Sequence, residues 1–288
     1  MPALFLYKLA TIIGLLGVRA KATTFKGGSM KQYTVAILGA TGAVGTQMLE
    51  CLNEQEFPVG KLKLLASARS AGKTVEFRGE QIVIEEACPE AFEGCDIVLG
   101  AAGDDIAKEL LPEAVKRGAV VVDNSHAFRM DPEVPLVVPE INADHIDIIP
   151  AQRKRLGTKR GFVAVKSNCS LQSYVPALHP LRKYGISDVL VCTYQAISGA
   201  GKTFETWPEM IDNVIPYIGG EEEKSEQEPL KLWGKIEGDH IENASSPAIT
   251  AQCLRVPCSD GHMAACFVSF KGEKPSIEQI KADWAAFS

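Results

Sequence analysis

The sequence predicts an α/β protein whose first half forms a parallel sheet covered by helices and whose second half forms an α+β domain. Two observations lead there. Short apolar runs of strand length alternate with amphipathic helical stretches between residues 33 and 165, the pattern of a sheet buried on both faces. Further on, the strand-like runs 188–197, 249–257 and 262–268 are separated by helical chain and polar turns.

The first run, Tyr33-Thr34-Val35-Ala36-Ile37-Leu38, ends in Gly39-Ala40-Thr41-Gly42-Ala43-Val44-Gly45, and a helix with Met48, Leu49 and Leu52 on its apolar face follows. Strand, glycine turn and helix in that order make a Rossmann-type dinucleotide site, with pyrophosphate resting on the helix N-terminus. The spacing is G-x-x-G-x-x-G rather than G-x-G-x-x-G, so the surrounding pattern carries the assignment. Gly39, Thr41, Gly42, Ala43, Val44 and Gly45 are the expected cofactor contacts. The next strand, 61–66, ends in Ser67-Ala68-Arg69-Ser70, where an NAD enzyme carries an acid for the ribose diol. Arg69 with the hydroxyls of Ser67 and Ser70 suits a 2′-phosphate, so NADP is expected over NAD. The competing reading is a solvated basic turn.

Strand 95–100 leads into Ala101-Ala102-Gly103, small residues that let a nicotinamide ribose approach the backbone. An amphipathic helix with Ile106, Leu110, Leu111 and Val115 precedes strand 119–123. Arg129 lies past the C-terminal end of that strand, where α/β sheets bind ligands; it reads either as an anion clamp or as a surface salt bridge. His126 and His145 read as loop or interface histidines rather than catalysts.

The apolar run 162–165 feeds Lys166-Ser167-Asn168-Cys169-Ser170. A helix is expected to run on through Tyr174, Leu178 and Leu181, capped by Asn168, with Pro176 tolerated early and Pro180 kinking or ending it. Cys169 in its first turn would sit at the positive end of the helix dipole, which favours a thiolate and makes a nucleophile. The competing reading is a half-buried structural thiol. Strand 188–197 carries Gln195 into a second small-residue turn, Ser198-Gly199-Ala200-Gly201, a further point of close approach to cofactor or substrate. Gln195 is either a neutral hydrogen-bonding group at the reacting centre or a polar strand end facing solvent. Helical chain is expected over 204–214, and the charge run 221–226 is by default a solvated face. Runs 249–257 and 262–268 are expected to pair as an antiparallel hairpin across Cys258-Ser259-Asp260-Gly261, bringing Arg255 and His262 to one turn. A lone histidine there is structural by default; beside an activated cysteine it becomes a candidate acid/base.

The totals exclude several classes. With 288 residues, 46% hydrophobic and 23% charged, there is chain enough for one or two domains with a sizeable core. The 30 basic and 36 acidic residues give −6 and form no basic stripe, so no nucleic-acid partner is expected. Eight cysteines without a C-x-x-C pair argue against a metal site or disulfide scaffold and for a reducing compartment. Residues 3–18 form an apolar run broken by Lys8, too short for a membrane span; Arg19, Lys21 and Lys26 follow, with no acid before Glu50. An organellar transit peptide, a secretory signal and a true start at Met30 all remain open. The expected location is cytoplasmic, or plastid or mitochondrion if residues 1–30 are a transit peptide, without stable membrane association.

The glycine turn at 39–45, Ser67–Ser70, Ser167-Asn168-Cys169-Ser170, Gln195 with the turn 198–201, and Arg255 with His262 together resemble the aspartate-semialdehyde dehydrogenase family. Asn-Cys-Ser and the run Ile-Pro-Tyr-Ile-Gly-Gly-Glu-Glu-Glu-Lys at 215–224 look most like its archaeal and fungal branch. The resemblance covers the chain from about Met30 onward. It implies an extension over 1–30, an NADP-binding domain over 31–166 and a catalytic and dimerisation domain over 167–288. Cys169 is the implied nucleophile, His262 the acid/base, and Gln195 orients the reacting group. Arg255 would hold the substrate carboxylate, Glu221 its amino group, and Arg129 and Lys224 the phosphate; Asn168 belongs to the same substrate site. Ser198, Gly199 and Gly201 would touch NADP. The implied substrates are aspartyl phosphate, aspartate semialdehyde and phosphate, and the implied assembly a homodimer or homotetramer. Family members continue past residue 288 with a second glycine-containing segment and a returning helix, so this chain is expected to bind NADPH more weakly. Malonyl-CoA reductase, on a related scaffold, and an inactive or regulatory subunit are the alternatives. The related reductase of N-acetylglutamyl phosphate usually carries Gly-Cys-Tyr at the nucleophile, unlike Asn168-Cys169-Ser170.

Overall fold

A computed structural model describes residues 31–287; the extension expected over 1–30 lies outside the described residues. The chain opens with β1 (Tyr33–Leu38), α1 (Ala43–Glu54) and β2 (Val59–Ala66). A hairpin of β3 (Thr74–Phe77) and β4 (Glu80–Glu86) comes next, then β5 (Ile97–Gly100), α2 (Asp104–Lys116) and β6 (Val120–Asp123). The short β7 (Leu136–Val137), α3 (Pro139–Asn142) and α4 (Ile149–Leu156) lead to β8 (Phe162–Lys166). These eight strands form one sheet in the order β3-β4-β2-β1-β5-β6-β8-β7. Every pairing is parallel except β3 with β4.

Strands β5, β6 and β8 are buried throughout, as continuous apolar runs between helix layers should be. α1 buries Met48, Leu49 and Leu52, and α2 buries Leu110, Leu111 and Val115. Ile106, expected on the apolar face of α2, is exposed instead: it lies in the first turn, and the buried face starts at Ala107. The β3–β4 hairpin was not apparent in the sequence, although Arg78–Gly79 between two alternating runs is its turn signal. Because the strands run parallel, Leu38, Ala66, Gly100, Asp123 and Lys166 all end on one rim, and the loops that follow them converge there.

The second half contains α5 (Val175–Leu178), β9 (Ile186–Gln195) and α6 (Glu221–Leu232). After these come a small hairpin of β10 (Lys235–Glu237) and β11 (His240–Glu242), then β12 (Ala248–Arg255), β13 (Met263–Phe270) and α7 (Ile277–Ala286). Two expectations fail here. β12 and β13 do not pair with each other: β9 lies between them, parallel to β12 and antiparallel to β13. The longest apolar strand takes the centre, and the turn 258–261 becomes a crossover passing its end. There Ile197 N–H donates to Cys258 O and Ser198 N–H to Ser259 O. The stretch 204–214 holds only a 3-10 turn, Pro208–Met210, because Pro208 starts it and Asp212 adopts a positive φ that ends helical geometry.

One apolar core joins the halves, running from Leu38, Val98, Val121 and Val163 into Leu171, Leu178, Val189, Val191, Leu232 and Trp233. Among the described residues no helix is long and apolar enough to cross a membrane. Gly45 sets the closeness of α1 to β1: an added Cβ would lie 2.3 Å from the Gly39 carbonyl oxygen. Gly45→Ala should therefore destabilise the protein by about 1–3 kcal/mol. Thermal unfolding checks this against Gly272→Ala, where a Cβ meets nothing within 4 Å and the midpoint should hold.

Candidate active site

β8 delivers Lys166 to the rim, and the next three residues turn sharply. Asn168 Oδ1 accepts from the backbone N–H (2.8 Å) and the hydroxyl (2.7 Å) of Ser170. Asn168 is therefore not the expected N-cap: it makes a local turn onto Ser170, and the N-cap is Cys169, of a 3-10 turn, Ser170–Ser173, rather than of a helix. The single helix expected through Leu181 is divided into three short pieces, because Pro176 and Pro180 each begin a new segment. No long helix dipole stands behind Cys169, so its reactivity needs another source.

That source is His262. Its Nε2 lies 3.2 Å from Cys169 Sγ, and its Nδ1 accepts from the Ala196 backbone N–H at 3.0 Å. An accepting Nδ1 places the ring proton on Nε2, pointing at sulfur. Cys169 stays open to solvent at the mouth of the cleft, whereas its sulfur is crowded by the surrounding elements. That crowding works to raise the thiol, but the hydrogen bond from His262 and the electrostatics of His262 and Lys166 outweigh it. The thiol ends below its ordinary value. The structural-thiol reading does not describe this residue.

Gly199 makes the arrangement fit. A Cβ there would lie 2.8 Å from both Arg255 Nη1 and His262 Cε1. The second glycine turn is therefore held tight first by the site's own side chains. Arg255 is buried, donates from Nη1 to Ala196 O (2.8 Å), and pairs its backbone with Ile215. Burial lowers its guanidinium pKa. Arg255 and His262 do come together as expected, by flanking the end of β9 from both sides rather than by sharing a hairpin.

Gln195 is buried, which removes the solvent-facing reading; its Nε2 donates to Glu221 Oε2 (3.2 Å) and Thr193 Oγ1 (3.3 Å). Glu221 opens α6 and is the hub of this wall. Asn168 Nδ2 donates to its Oε2 (2.9 Å) and Lys224 Nζ to its Oε1 (2.8 Å). Burial works to raise the Glu221 carboxyl, but bonds from Lys224, Asn168 and Gln195 outweigh it, so it stays a carboxylate. The charge run at 221–226 is not a solvated face: Glu221 and Lys224 are half-buried in the site and Ser225 is fully buried.

Arg129 is neither an open clamp nor a surface salt bridge. It is buried, with Nη1 on Glu228 Oε1 (3.0 Å) and Nη2 donating to Asn124 O (2.7 Å), while Nε has no partner. The loop after β6 turns back under the nucleophile, and Glu228 waits there. Glu228 and Lys166 were both missed in the sequence. A lysine closing an apolar strand, and a glutamate one further heptad along from Glu221, were the available signals. His145 is a buried structural histidine, bonded to Asn142 and Gly234, and His126 pairs at 3.8 Å with Asp104.

On the same rim, Thr41, Gly42 and Ala43 are exposed at the start of α1, whose first turn carries no acid, so its N–H groups face outward for an anion. Beside Gly42 an added Cβ would meet only the Gly39 carbonyl, at 3.5 Å, leaving room for a pyrophosphate. Gly39 itself takes φ 89° and abuts the Ala101 backbone. The turn Ser67–Ser70 follows the adjacent strand, and Arg69 is exposed without a partner among the described residues. A dinucleotide fits these residues. Ser198 and Gly201 flank the catalytic turn opposite, Ser198 exposed and Gly201 at φ 65°.

A parallel sheet with a dinucleotide cradle, and a cysteine and histidine in contact at its rim, are the parts of a nicotinamide-dependent dehydrogenase. Comparison with known proteins agrees. The family model for the semialdehyde dehydrogenase NAD-binding domain matches residues 34–149, and that for its dimerisation domain matches 178–288. The aspartate-semialdehyde dehydrogenase of Archaeoglobus fulgidus is 40% identical over 266 residues, covering 87% of this chain and 75% of the relative. The crystal structure of the Candida albicans enzyme with NADP superposes with a TM-score of 0.77 at 33% identity, covering 87% of this chain and 75% of that one. The Vibrio cholerae enzyme II complexed with ASA gives 0.75 at 33%, covering 90% and 80%. This chain belongs to the aspartate-semialdehyde dehydrogenase family.

The site makes a pH prediction. With His262→Ala the hydrogen bond to sulfur and the electrostatics of the imidazole are both lost, so the Cys169 thiol should rise. The pH midpoint for iodoacetamide alkylation of Cys169, resolved by peptide mass spectrometry, should move upward.

Proposed function

We propose that this chain is an NADP-dependent aspartate-semialdehyde dehydrogenase, reducing L-aspartyl 4-phosphate to L-aspartate 4-semialdehyde reversibly through a Cys169 thioester. In this reading residues 31–166 bind NADP and residues 167–288 carry the catalytic and dimerisation surfaces. The observation that carries it is the 3.2 Å contact between Cys169 Sγ and His262 Nε2, set between a dinucleotide rim and the ionised Glu221.

The Cys169 thiolate attacks the acyl carbon of the acyl phosphate; the C–S bond forms, the C–O bond to phosphate breaks, and inorganic phosphate leaves. NADPH, when bound, supplies the hydride that reduces the thioester carbon. His262 Nε2–H stabilises the oxyanion so formed and then the thiolate released as the C–S bond breaks and the aldehyde departs. Gln195 orients the reacting group as a neutral donor. Glu221 and Arg255 match the ammonium and carboxylate of the aspartyl moiety, and Asn168 holds Glu221 in place. Lys224 supplies positive charge for the phosphate, whereas Arg129, also expected there, is taken up by Glu228 and Asn124 O. Pyrophosphate rests on Gly39, Thr41, Gly42, Ala43, Val44 and Gly45. Ser67, Arg69 and Ser70 take the 2′-phosphate, and Ser198, Gly199 and Gly201 close the nicotinamide side. The Candida structure with NADP and the Vibrio structure with ASA support these cofactor and substrate classes.

The outer face of the sheet β12-β9-β13 exposes Leu190, Met263 and Phe267 (53%, 63% and 70%), with Leu190 and Phe267 directly paired. That open apolar face is the proposed homodimer surface, consistent with the dimerisation domain it belongs to.

A coupled assay comparing aspartate semialdehyde with malonyl-CoA tests the substrate: turnover of the first alone is expected, because Glu221 has no ammonium to meet in the second. Cys169→Ala should lose that turnover by a factor of about 10³ or more with the fold intact by circular dichroism. Arg69→Ala should raise the KM for NADPH about tenfold while the KM for NADH changes little, one charged contact to the 2′-phosphate being lost. Equal losses for both cofactors would remove the 2′-phosphate assignment.

A further inference from the structure

We infer that Glu228 is a positioning residue for the nucleophile: one carboxylate oxygen holds the backbone N–H of Asn168 and the other holds the guanidinium of Arg129. One buried side chain thereby sets the loop carrying Cys169 against the loop carrying Arg129. The inference rests on the proposed reading in which Cys169 is the attacking group.

Glu228 is fully buried on α6, two helical turns beyond Glu221. Its Oε2 accepts from Asn168 N–H at 2.7 Å and its Oε1 from Arg129 Nη1 at 3.0 Å. Asn168 is itself buried and is held at three points: its N–H by Glu228, its Nδ2 by Glu221 (2.9 Å), and its Oδ1 by Ser170 (2.8 Å). The next residue is Cys169, so its backbone is fixed from the N-terminal side by the two acids of α6. His262 comes to the sulfur from the other half of the molecule, at 3.2 Å, and that meeting depends on where the loop is held. Glu228 touches no reacting atom; it acts through Asn168 and Arg129.

A carboxylate suits this place because it offers two accepting oxygens and a charge. Two donors face it, one of them cationic and buried. A glutamine of the same shape has one accepting oxygen, and its NH2 would confront either Asn168 N–H or Arg129. The loop must then give way, and Cys169 moves with it.

The test is the pH profile of Cys169 alkylation by iodoacetamide in the full chain, resolved from the other cysteines by peptide mass spectrometry. In Glu228→Gln the midpoint should rise by about half a pH unit or more, as the bond to His262 loosens. kcat with aspartate semialdehyde should fall about tenfold or more, with KM for NADP within about twofold of wild type. Glu223→Gln, on the exposed face of the same helix, should change none of these. A folded Glu228→Gln protein with the wild-type alkylation midpoint overturns the inference, whatever its melting temperature. If that variant does not fold, Arg129→Gln/Glu228→Gln removes the stranded charge and is read the same way. If neither folds, hydrogen exchange in the wild type decides: an Asn168 amide exchanging as fast as an exposed loop overturns the inference, and a protected one supports it. Failure of the functional reading is separate. It would show as turnover surviving Cys169→Ala, whereas the alkylation midpoint reports on the loop for any substrate.

Discussion

Carboxylates removed from water must be neutralised by donors supplied by the protein, and α6 turns two of them inward. Glu221, Lys224, Ser225, Glu228 and Lys231 recur at i, i+3, i+4, i+7 and i+10, so one face of the helix is polar, charged and turned inward. Each group draws in a different part of the fold. Glu221 gathers Asn168 and Gln195, and Glu228 gathers Asn168 and Arg129. Lys231 donates to the carbonyls of Arg129 (2.6 Å), Asp131 (2.5 Å) and Val134 (2.8 Å). Burial pushes Lys231 down to about 8, so its ammonium is held by those carbonyls against a desolvation cost. Breaking one member of such a set costs about 3–5 kcal/mol, because its partners stay buried without it.

The loops after β6 and β8 are the two that α6 gathers, and both leave the same rim of the sheet. Parallel pairing puts the strand ends level there, with the glycine turn of β1 beside them. β9 then supplies the far wall. Its end at Gln195 stands opposite Arg255 in register, and Met263 pairs with Tyr194 one position back. Placing β9 in the middle is what brings Arg255 of β12 and His262, just ahead of β13, together beside Gly199.

Much of this was legible as local pattern. Continuous apolar runs gave the parallel strands, and Gly39, Gly42 and Gly45 gave the cradle, because a glycine turn between strand and helix has few other uses. Cys169 and His262 were legible as types, since a thiol and an imidazole have recognised chemistry. What failed was long-range. Nothing in a strand's sequence says which neighbour it pairs with, so the β12–β13 hairpin looked natural until β9 came between them. The charge run at 221–226 looked solvated because charge is usually outside; only partners distant in sequence, Asn168 and Gln195 on Glu221, make burial tolerable. The dipole argument for Cys169 assumed a helix that Pro176 and Pro180 break into pieces.

The reason for the cysteine's acidity therefore changes, and the change restricts the chemistry. Ala196 N–H donates to Nδ1 of His262 at 3.0 Å, which leaves the other ring nitrogen to carry the proton. Nε2–H is thereby held as the donor to sulfur, and the electrostatics of His262 and of Lys166 at the end of β8 favour the thiolate further. In the proposed reaction the same N–H, from the same position, meets each negative species formed: the thiolate, the oxyanion, and the thiolate again. Ala196 keeps that N–H aimed, Gly199 lets the ring come close enough, and α6 holds the sulfur where the N–H points.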